Sequence, residues 1–583
     1  MKRLSPTRHG LILVAPAVVL AAGVLLLGPG TGNWGFLRDL PQATYYLSFS
    51  FVRMLVAYAM SLGFSLVYGY FAATNRGAER VMIPILDILQ SVPILGFFPV
   101  AIAVFISIPL IGINLASIFL IFTSMAWNMV FGVYESLKSI PGELREATDS
   151  FGVHGWQRIR QVLVPATVNR LVYNSVLSWT GGWFFLVAAE FIASSRSPQA
   201  LPGIGSYLLF AAGAHNANAL VAGLIVLIAL ITVLDLAVWR PLGRWAEKYR
   251  YDTSPSGDAD AATTPSRRSI APLRRMVTGL ARRVRTGFIT ASTPLVSLGT
   301  FALGRGPTRR RSFAAIAGRY VALGLILVFS WYLLITTGVA IYSIYIHPLG
   351  AAALAHIRMI PYDLGSSIAR LISAYAISLA IAFPLAYLLT RRPRMARVGL
   401  PLVEIVASVP ATAVFPLIVY VVVADLGVQF ASVLMLMTGM IWYLFFNLLS
   451  GMRSLPPDLD EAARSFGVKG TPYYRKVLLP AVFPAFITGS ITAFGGGWNT
   501  LIVAEYLSVS TTTQTSIGAV TMTHPEYQVP GIGQLIQAGF ANSALGPGVY
   551  VAALLTLVVT VVVVNELLWK PLYRRAVEKY RYD

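Results

Sequence analysis

Stretches of about 18 or more mostly apolar residues recur from one end of this chain to the other, and basic loops separate many of them. A helix of that length can cross a bilayer, because it satisfies its own backbone hydrogen bonds in hydrocarbon. The composition agrees: 56% of the 583 residues are hydrophobic and only 12% are charged, against about a quarter charged in soluble domains. The sequence therefore predicts an all-α, polytopic membrane protein.

An internal repeat is the second constraint on the fold. Segments of the first half align with segments of the second, and the same six residues, EKYRYD, close both halves. The matching segments are 53–62 with 370–379, 143–166 with 458–481, 201–205 with 529–533, and 247–252 with 578–583. We predict two homologous membrane units, residues 1–252 and 313–583, joined by segment 253–312.

Each unit is predicted to contain six spans, about 12 in all. Because six is even and the loops rich in Lys and Arg recur at the same places, both units have the same orientation and form parallel repeats. The predicted spans lie near 10–28, 47–73, 81–107, 113–136, 168–194, 217–239, 313–337, 363–390, 398–423, 429–452, 484–508 and 546–568. The run at 10–28 is interpreted as an uncleaved first helix, since no A-x-A-like site follows it.

The net charge of +21 does not indicate nucleic-acid binding, because the basic residues lie in alternate loops, as expected of cytoplasmic loops. Segment 253–312 contains eleven Arg and no Lys. We predict that it is a partly disordered cytoplasmic linker on anionic lipid. The chain has no cysteine, so disulfides and thiol chemistry are excluded.

The most informative motif is the loop that occurs twice without a gap. It contains Glu461-Ala462-Ala463 in the second half and Glu146-Ala147-Thr148 in the first. Each copy is a short helix-competent stretch that a glycine can end. We expect the proline that follows, Pro165 or Pro480, to reset the direction of the chain before the next span. The candidate coupling residues are Glu143, Glu146, Ala147, Gly152, Pro165, Asp460, Glu461, Ala462, Ala463, Gly467 and Pro480.

These two loops resemble the EAA loop of membrane subunits of binding-protein-dependent ABC importers. The flanking SFG-V-x-G and GGW…AE segments resemble the nitrate/sulfonate/taurine branch of that family. The resemblance implies a fused (tandem) permease with a type I importer fold, in which each loop docks a coupling helix into a groove of an ATPase. Thr148 departs from the motif, and we expect the interface of the first copy to be less tightly packed.

The resemblance also implies partners and a location. Two separate ATPase subunits would carry ATP and Mg²⁺, and an extracytoplasmic binding protein would deliver a small anion such as nitrate, a sulfonate or taurine. The chain would lie in a prokaryotic inner (plasma) membrane, with coupling loops, linker and both termini in the cytoplasm. No G-x-x-x-x-G-K-[ST] motif occurs in the sequence, so we predict that the chain is not itself an enzyme.

Ionisable residues and proline breaks within the spans are the candidates for a pathway. Arg53 with Glu190, and Arg370 with Glu505, occupy equivalent positions, and we predict a direct pair in each half that shapes the outer mouth. The alternative is that each side chain snorkels singly to the headgroups. Helix packing is the alternative for the tryptophans. The pathway candidates are Arg53, Asp87, Ser91, Pro93, Trp183, Glu190, Arg370, Glu404, Ser408, Pro410, Trp498, Asn499 and Glu505.

Two other functions fit parallel membrane repeats. An ion-coupled secondary transporter would work without any ATPase and would place ionisable residues near the bilayer midplane. A non-transporting scaffold would use the repeated loops to recruit partners and would lack a sealed pathway. The doubled loop favours the ABC permease over both.

Overall fold

The computed structural model describes residues 35–249 and 350–580, apart from residues 92, 106–107, 110, 154, 195–200, 456, 508–510, 516–517, 523–526 and 542–545. The predicted first and seventh spans and the linker 253–312 lie outside the described residues. In the first half the helices are α1 (Phe36–Thr74), α2 (Arg76–Ser91), α3 (Phe98–Phe105), α4 (Gly112–Lys138), α5 (Gly142–Ser150), α6 (Val164–Ser194), α7 (Ile204–Gly213), α8 (Ala217–Leu234) and α9 (Arg240–Ala246).

The second half repeats this order. Its helices are α10 (Ala351–Arg391), α11 (Pro393–Ser408), α12 (Ala411–Arg453), α13 (Pro457–Ser465), α14 (Leu479–Ala504), α15 (Ile532–Ala541), α16 (Gly546–Val564) and α17 (Lys570–Tyr580). Between α14 and α15 lie four short strands, β1 (Tyr506–Leu507), β2 (Thr511–Thr515), β3 (Gly518–Met522) and β4 (Tyr527–Gln528). Strand β1 pairs with β4 and β2 with β3, both antiparallel. These ladders are a small addition to an otherwise helical fold.

Eight of the described helices are long and apolar enough to cross a membrane, or nine if one bent pair counts as a single span. Two predicted spans, 81–107 and 398–423, are not single helices, because each is broken at its Ser-Val-Pro sequence. In the second half α11 and the start of α12 meet at an angle of 86°. A proline lacks the N–H that would continue the helix, and the break predicted at this Ser-Val-Pro sequence is confirmed.

Prolines also explain four π-helical turns among the described residues. These turns are Ile159–Leu163, Asp235–Trp239, Tyr474–Leu478 and Asn565–Trp569. In each case a proline stands two residues after the turn, at 165, 241, 480 and 571. The proline ring would collide with the carbonyl four residues earlier, and a wider turn relieves that collision. The helix therefore continues through Pro165 and Pro480, and the prediction that these prolines redirect the chain is wrong.

The two halves pack against each other through their broken spans. The hydroxyl of Thr412, at the start of α12, donates to the carbonyl of Phe184 in α6 at 3.0 Å. On the other side the hydroxyl of Tyr550 donates to the carbonyl of Gly96 at 2.8 Å. These contacts join the halves in the same region as the proline breaks.

Candidate functional site

Helices α5 and α13, which carry the repeated loop, are bounded as their sequences predict. Pro141 immediately precedes α5, and Pro457 is the first residue of α13. Gly152 and Gly467 have φ angles of 64° and 67°, the left-handed conformation that favours glycine. The N–H of Val153 then donates to the carbonyl of Thr148 at 3.0 Å, as in a Schellman motif. Both glycines thus end their helices, and the C-cap prediction is confirmed.

The two helices expose the same four side chains, which we call the coupling face. These are Glu146, Ala147 and Ser150 of α5 with Phe151, which directly follows it, and Glu461, Ala462 and Ser465 of α13 with Phe466, which directly follows it. Phe151 is 83% exposed and Phe466 is 85% exposed. An exposed aromatic ring beside a carboxylate is typical of a protein-binding surface rather than of solvated helix.

The residue that differs between the two motifs is not on this face. Thr148 is 8% exposed and Ala463 is 6% exposed, so both contact their own chain. The hydroxyl of Thr148 donates to the carbonyl of Leu144, one turn earlier. Our expectation of a looser interface in the first copy rested on Thr148 facing a partner, and the structure removes that reason.

A buried network surrounds the predicted pair in the first half. Arg53 Nη1 lies 2.6 Å from Glu190 Oε1, and the two side chains are 4% and 0% exposed. Ser50 also donates to Glu190 at 2.6 Å, and the backbone N–H of Gly205 donates to its second oxygen at 2.7 Å. The remaining guanidinium donors bind Asn114 at 2.8 Å and the carbonyl of Pro202. Every charge is therefore compensated, as burial requires.

The second half repeats this network residue for residue. Arg370 pairs with Glu505, which also accepts from Ser367 at 2.6 Å and from the N–H of Gly533 at 2.8 Å. Gln429 and the carbonyl of Pro530 accept from Arg370. Direct pairing is thus confirmed in both halves, and single snorkelling is excluded. The predicted place at the outer mouth of a pathway stays a prediction, since each pair is buried within its own half.

The network also explains the repeated P-G-I-G sequence. A Cβ at Gly203 or Gly531 would overlap the carboxylate of Glu190 or Glu505. Only glycine leaves room for the loop to lie on the carboxylate and donate its N–H groups. The glutamate thereby ties the C-terminal end of its span to the following helix, α7 or α15.

Some of the other pathway candidates line a cavity, and the rest do not. Pro93, Trp498 and Asn499 line a cavity of about 160 Å³ between the halves, together with Gln90 and Asn565. Trp183, by contrast, is 1% exposed, which favours packing. Ser408 donates to the carbonyl of Ile405, and Pro410 is buried. Glu404 interacts electrostatically with Arg240 and Asp235 of the first half. The side chains of Asp87 and Ser91 lie outside the described part.

Sequence reasoning missed several residues of these sites. Ser50, Asn114 and Pro202 complete the first network, and Gln90 and Asn565 line the cavity. Ser50 could have been found from the repeat, because a serine, Ser367, occupies the equivalent position in the second half. Asn565 gave no such signal, since its counterpart is Asp235.

One contact on the predicted cytoplasmic side is sensitive to pH. Glu79 accepts hydrogen bonds from Lys138 and Tyr134, both at 2.6 Å. The bond from Lys138, followed by that from Tyr134, lowers the pKa of Glu79. A carboxylate with a lowered pKa in the folded state stabilises the fold above its unfolded pKa of about 4.3. That contribution is lost as the pH falls through the folded pKa.

We therefore expect Glu79→Gln to lower the thermal unfolding temperature at pH 7, with the difference from the parent protein shrinking below about pH 4. The measurement is thermal unfolding of both proteins in detergent across this pH range. A difference that stays constant with pH would show that the charge of Glu79 is irrelevant.

Comparison with known proteins finds one family model in both halves of the chain. The family model described as "Binding-protein-dependent transport system inner membrane component" matches residues 65–238 and 377–567. These matches cover more than half of the chain, and each includes one copy of the repeated loop.

Individual relatives match parts of the chain. A protein of Escherichia coli named "Putative aliphatic sulfonates transport permease protein SsuC" is 30% identical over 125 residues, which is 21% of this chain and 45% of that protein. A permease of Methanocaldococcus jannaschii is 29% identical over 176 residues, 29% of this chain and 62% of its own. The nitrate import permease protein NrtB of Leptolyngbya laminosa is 30% identical over 108 residues, 18% of this chain and 38% of its own. In all three cases the match spans less than two thirds of the relative.

Proposed function

Because the chain belongs to the family of binding-protein-dependent transport system inner membrane components, we propose that it supplies both permease units of an ATP-driven importer. The observation that carries this proposal is the coupling face, exposed in two copies on helices α5 and α13. Each helix is fixed between two long helices, so a force applied to it reaches the spans. The family does not favour an ion-coupled secondary transporter.

The proposed partners follow from what the chain lacks and what it exposes. Its sequence has no P-loop, so ATP and Mg²⁺ are held by two ATPase subunits in the cytoplasm. A binding protein on the other side of the membrane delivers the solute. ATP binding draws the two coupling helices together and shifts the halves between two states, and the loaded binding protein favours one of them.

The proposed orientation places α5, α13 and both chain ends in the cytoplasm of a prokaryotic cell. The basic residues beside the coupling helices support this orientation through the positive-inside rule. The networks of Glu190 and Glu505 then lie toward the outer surface. The solute is a small anion or organic anion, the class that the names of two relatives suggest.

We further propose that one kind of ATPase subunit binds both coupling helices. The four residues of the coupling face are identical in α5 and α13, whereas the differing pair, Thr148 and Ala463, is buried. Segments 143–152 and 458–467 also carry the same net charge, because each has three acidic residues and one arginine. Two equivalent surfaces fit two copies of one partner.

The experiment exchanges segments 143–152 and 458–467 within the full chain. We expect ATP hydrolysis stimulated by the loaded binding protein to stay within about twofold of the parent, since surface changes of this kind cost about 0.5 kcal/mol or less. Thr148→Ala, a change on the buried face, is the matched control and should also leave stimulation unchanged. If the exchanged protein binds ATPase but loses stimulation, each helix has its own specific partner.

A further inference from the structure

The end of helix α10 holds the segment that follows the coupling helix α13. The guanidinium carbon of Arg391, the last residue of α10, lies 4.9 Å from the ring centre of Tyr473 and 5.8 Å from that of Tyr387. Its Nη2 also donates to the hydroxyl of Tyr473. The hydroxyl of Tyr474 donates to the hydroxyl of Tyr387 at 2.7 Å. We call these four residues the arginine–tyrosine clamp.

The chemistry of the clamp fixes an orientation as well as a distance. A guanidinium is planar, so it can bind a hydroxyl through its edge while its face lies against an aromatic ring. The hydroxyl hydrogen bonds are directional as well. Segment 471–474 is therefore connected to α10 by directional contacts, and it cannot slide along the helix without losing them.

The first half lacks the residues that would form such a clamp. Three of the four positions differ, with Thr74, Arg158 and Ile159 in place of Arg391, Tyr473 and Tyr474. Thr74 carries no positive charge and Ile159 has no ring. Arg158 pairs instead with Asp149 of its own coupling helix, at 2.8 Å. The clamp is thus a feature of the second half alone.

The first half connects the same elements by apolar packing. Tyr70, the counterpart of Tyr387, lies near the end of α1, and Leu163 follows the coupling helix α5. Both pack against a small apolar cluster that contains Val133 and Ile140. Because apolar packing has no preferred direction, it permits more sliding than the clamp does. The two coupling helices are therefore alike in their coupling faces and different in the contacts behind them.

Helix α10 connects the clamp to the second buried network. Ser367 and Arg370 of this helix both bind Glu505. Ser367 also accepts from the N–H of Ile532, at the start of α15, at 2.9 Å. From Arg370 to Arg391 the helix is unbroken, a length of roughly 30 Å. A displacement of the clamp can therefore reach the loop before α15 through a single helix.

We propose that the arginine–tyrosine clamp makes α13 the tighter of the two mechanical connections between the ATPases and the membrane spans. Its four members are positioning residues, because they pass the displacement of α13 to α10 and from there to the network around Glu505. Helix α5 binds the same kind of ATPase but passes on its displacement more loosely. The inference rests on the proposed function, since it takes α13 as a docking helix, and it adds an inequality between the two halves.

The test measures how the state of the ATPases changes the packing of α15. Because the chain has no cysteine, Ala538→Cys gives the permease a single thiol in α15, and Phe210→Cys gives one at the equivalent position of α7. Both positions are partly exposed, so their reactivity can rise or fall. The full-length permease with its ATPase subunits, in lipid nanodiscs, is labelled with N-ethylmaleimide. Labelling rates are compared with and without ATP plus orthovanadate, which arrests ATP hydrolysis.

We expect ATP plus orthovanadate to change the labelling rate of Ala538→Cys, and Arg391→Met to reduce that change by about threefold or more. Arg391→Lys keeps a charge at the rings but loses the planar fork, so it should recover part of the response. The response of Phe210→Cys should not depend on Arg391. Co-purification of the ATPases should be the same in all of these proteins, because the coupling faces are intact.

Two outcomes would overturn the clamp as the tighter connection. One is a response of Ala538→Cys that is absent in the parent chain or unaffected by Arg391→Met, and the other is an equal loss at Phe210→Cys. If Arg391→Met does not reach the membrane, Tyr474→Ile, which introduces the residue of the first half, should reduce the response in the same way. A parent chain that fails to bind ATPases at all would instead contradict the proposed function, before any labelling is done.

Discussion

We expect that replacing Glu146 and Glu461 together with lysine abolishes the stable association of this chain with the proposed ATPase subunits. Both carboxylates are exposed on the coupling face, next to an aromatic ring that is more than four-fifths exposed. In a docked complex each would face cationic donors of the partner, and the reversed charge would repel them. We expect a loss of about 3 kcal/mol or more, which raises Kd by over about 100-fold. Co-purification from membranes measures this directly.

The matched controls separate docking from folding. Glu566→Lys reverses a carboxylate that is also exposed, 51% at its side chain, but lies outside the coupling face, and it should leave ATPase binding unchanged. Phe151→Ser with Phe466→Ser should weaken binding without any change of charge. Retained binding and full transport in the Glu146→Lys, Glu461→Lys protein would remove the docking assignment.

Replacing Glu190 with glutamine destabilises the folded chain by about 3–5 kcal/mol, because it leaves the buried charge of Arg53 uncompensated. Glutamine retains the size of the side chain, so the cost reflects the lost charge rather than a cavity. Glu505→Gln should cost a similar amount, since Arg370 has the same surroundings. The measurement is the free energy of unfolding in mixed detergent micelles.

An exposed ion pair provides the comparison. Glu566 pairs with Lys570 where both side chains are more than half exposed, so Glu566→Gln should cost less than about 1 kcal/mol. A cost for Glu190→Gln that is no larger than this would mean that the network does not anchor α7 to the C-terminal end of α6. Arg53→Met combined with Glu190→Leu should be less harmful than either single loss of charge.

The repeat explains why so much of the fold was predictable. Two copies of one pattern provide an internal check, so Arg53 with Glu190 could be paired from sequence because Arg370 and Glu505 stand at equivalent positions. The C-cap role of Gly152 followed from local backbone chemistry. Eight of the twelve predicted spans, which depend on hydropathy alone, correspond to described helices of membrane-spanning length, two are broken at the Ser-Val-Pro sequences, and the first and seventh lie outside the described residues.

What could not be predicted depends on three-dimensional packing. The orientation of Thr148 toward its own chain depends on how α5 lies on the long helices. The cavity combines Gln90 with Asn565, which are far apart in sequence and come from different halves. Asn565 also differs from Asp235, its counterpart in the repeat. Comparing the two halves, which indicated the other sites, therefore did not indicate this cavity.

The central claim is that two short helices on the cytoplasmic side bind ATPases and transmit the movement of the ATPases to the membrane spans. The most direct measurement is the labelling of Phe151→Cys and Phe466→Cys by a membrane-impermeant maleimide applied from each face, with and without the ATPase. We predict that both thiols react only from the cytoplasmic face and that bound ATPase protects both. Reaction from the outer face, or labelling that the ATPase leaves unchanged, would contradict the claim.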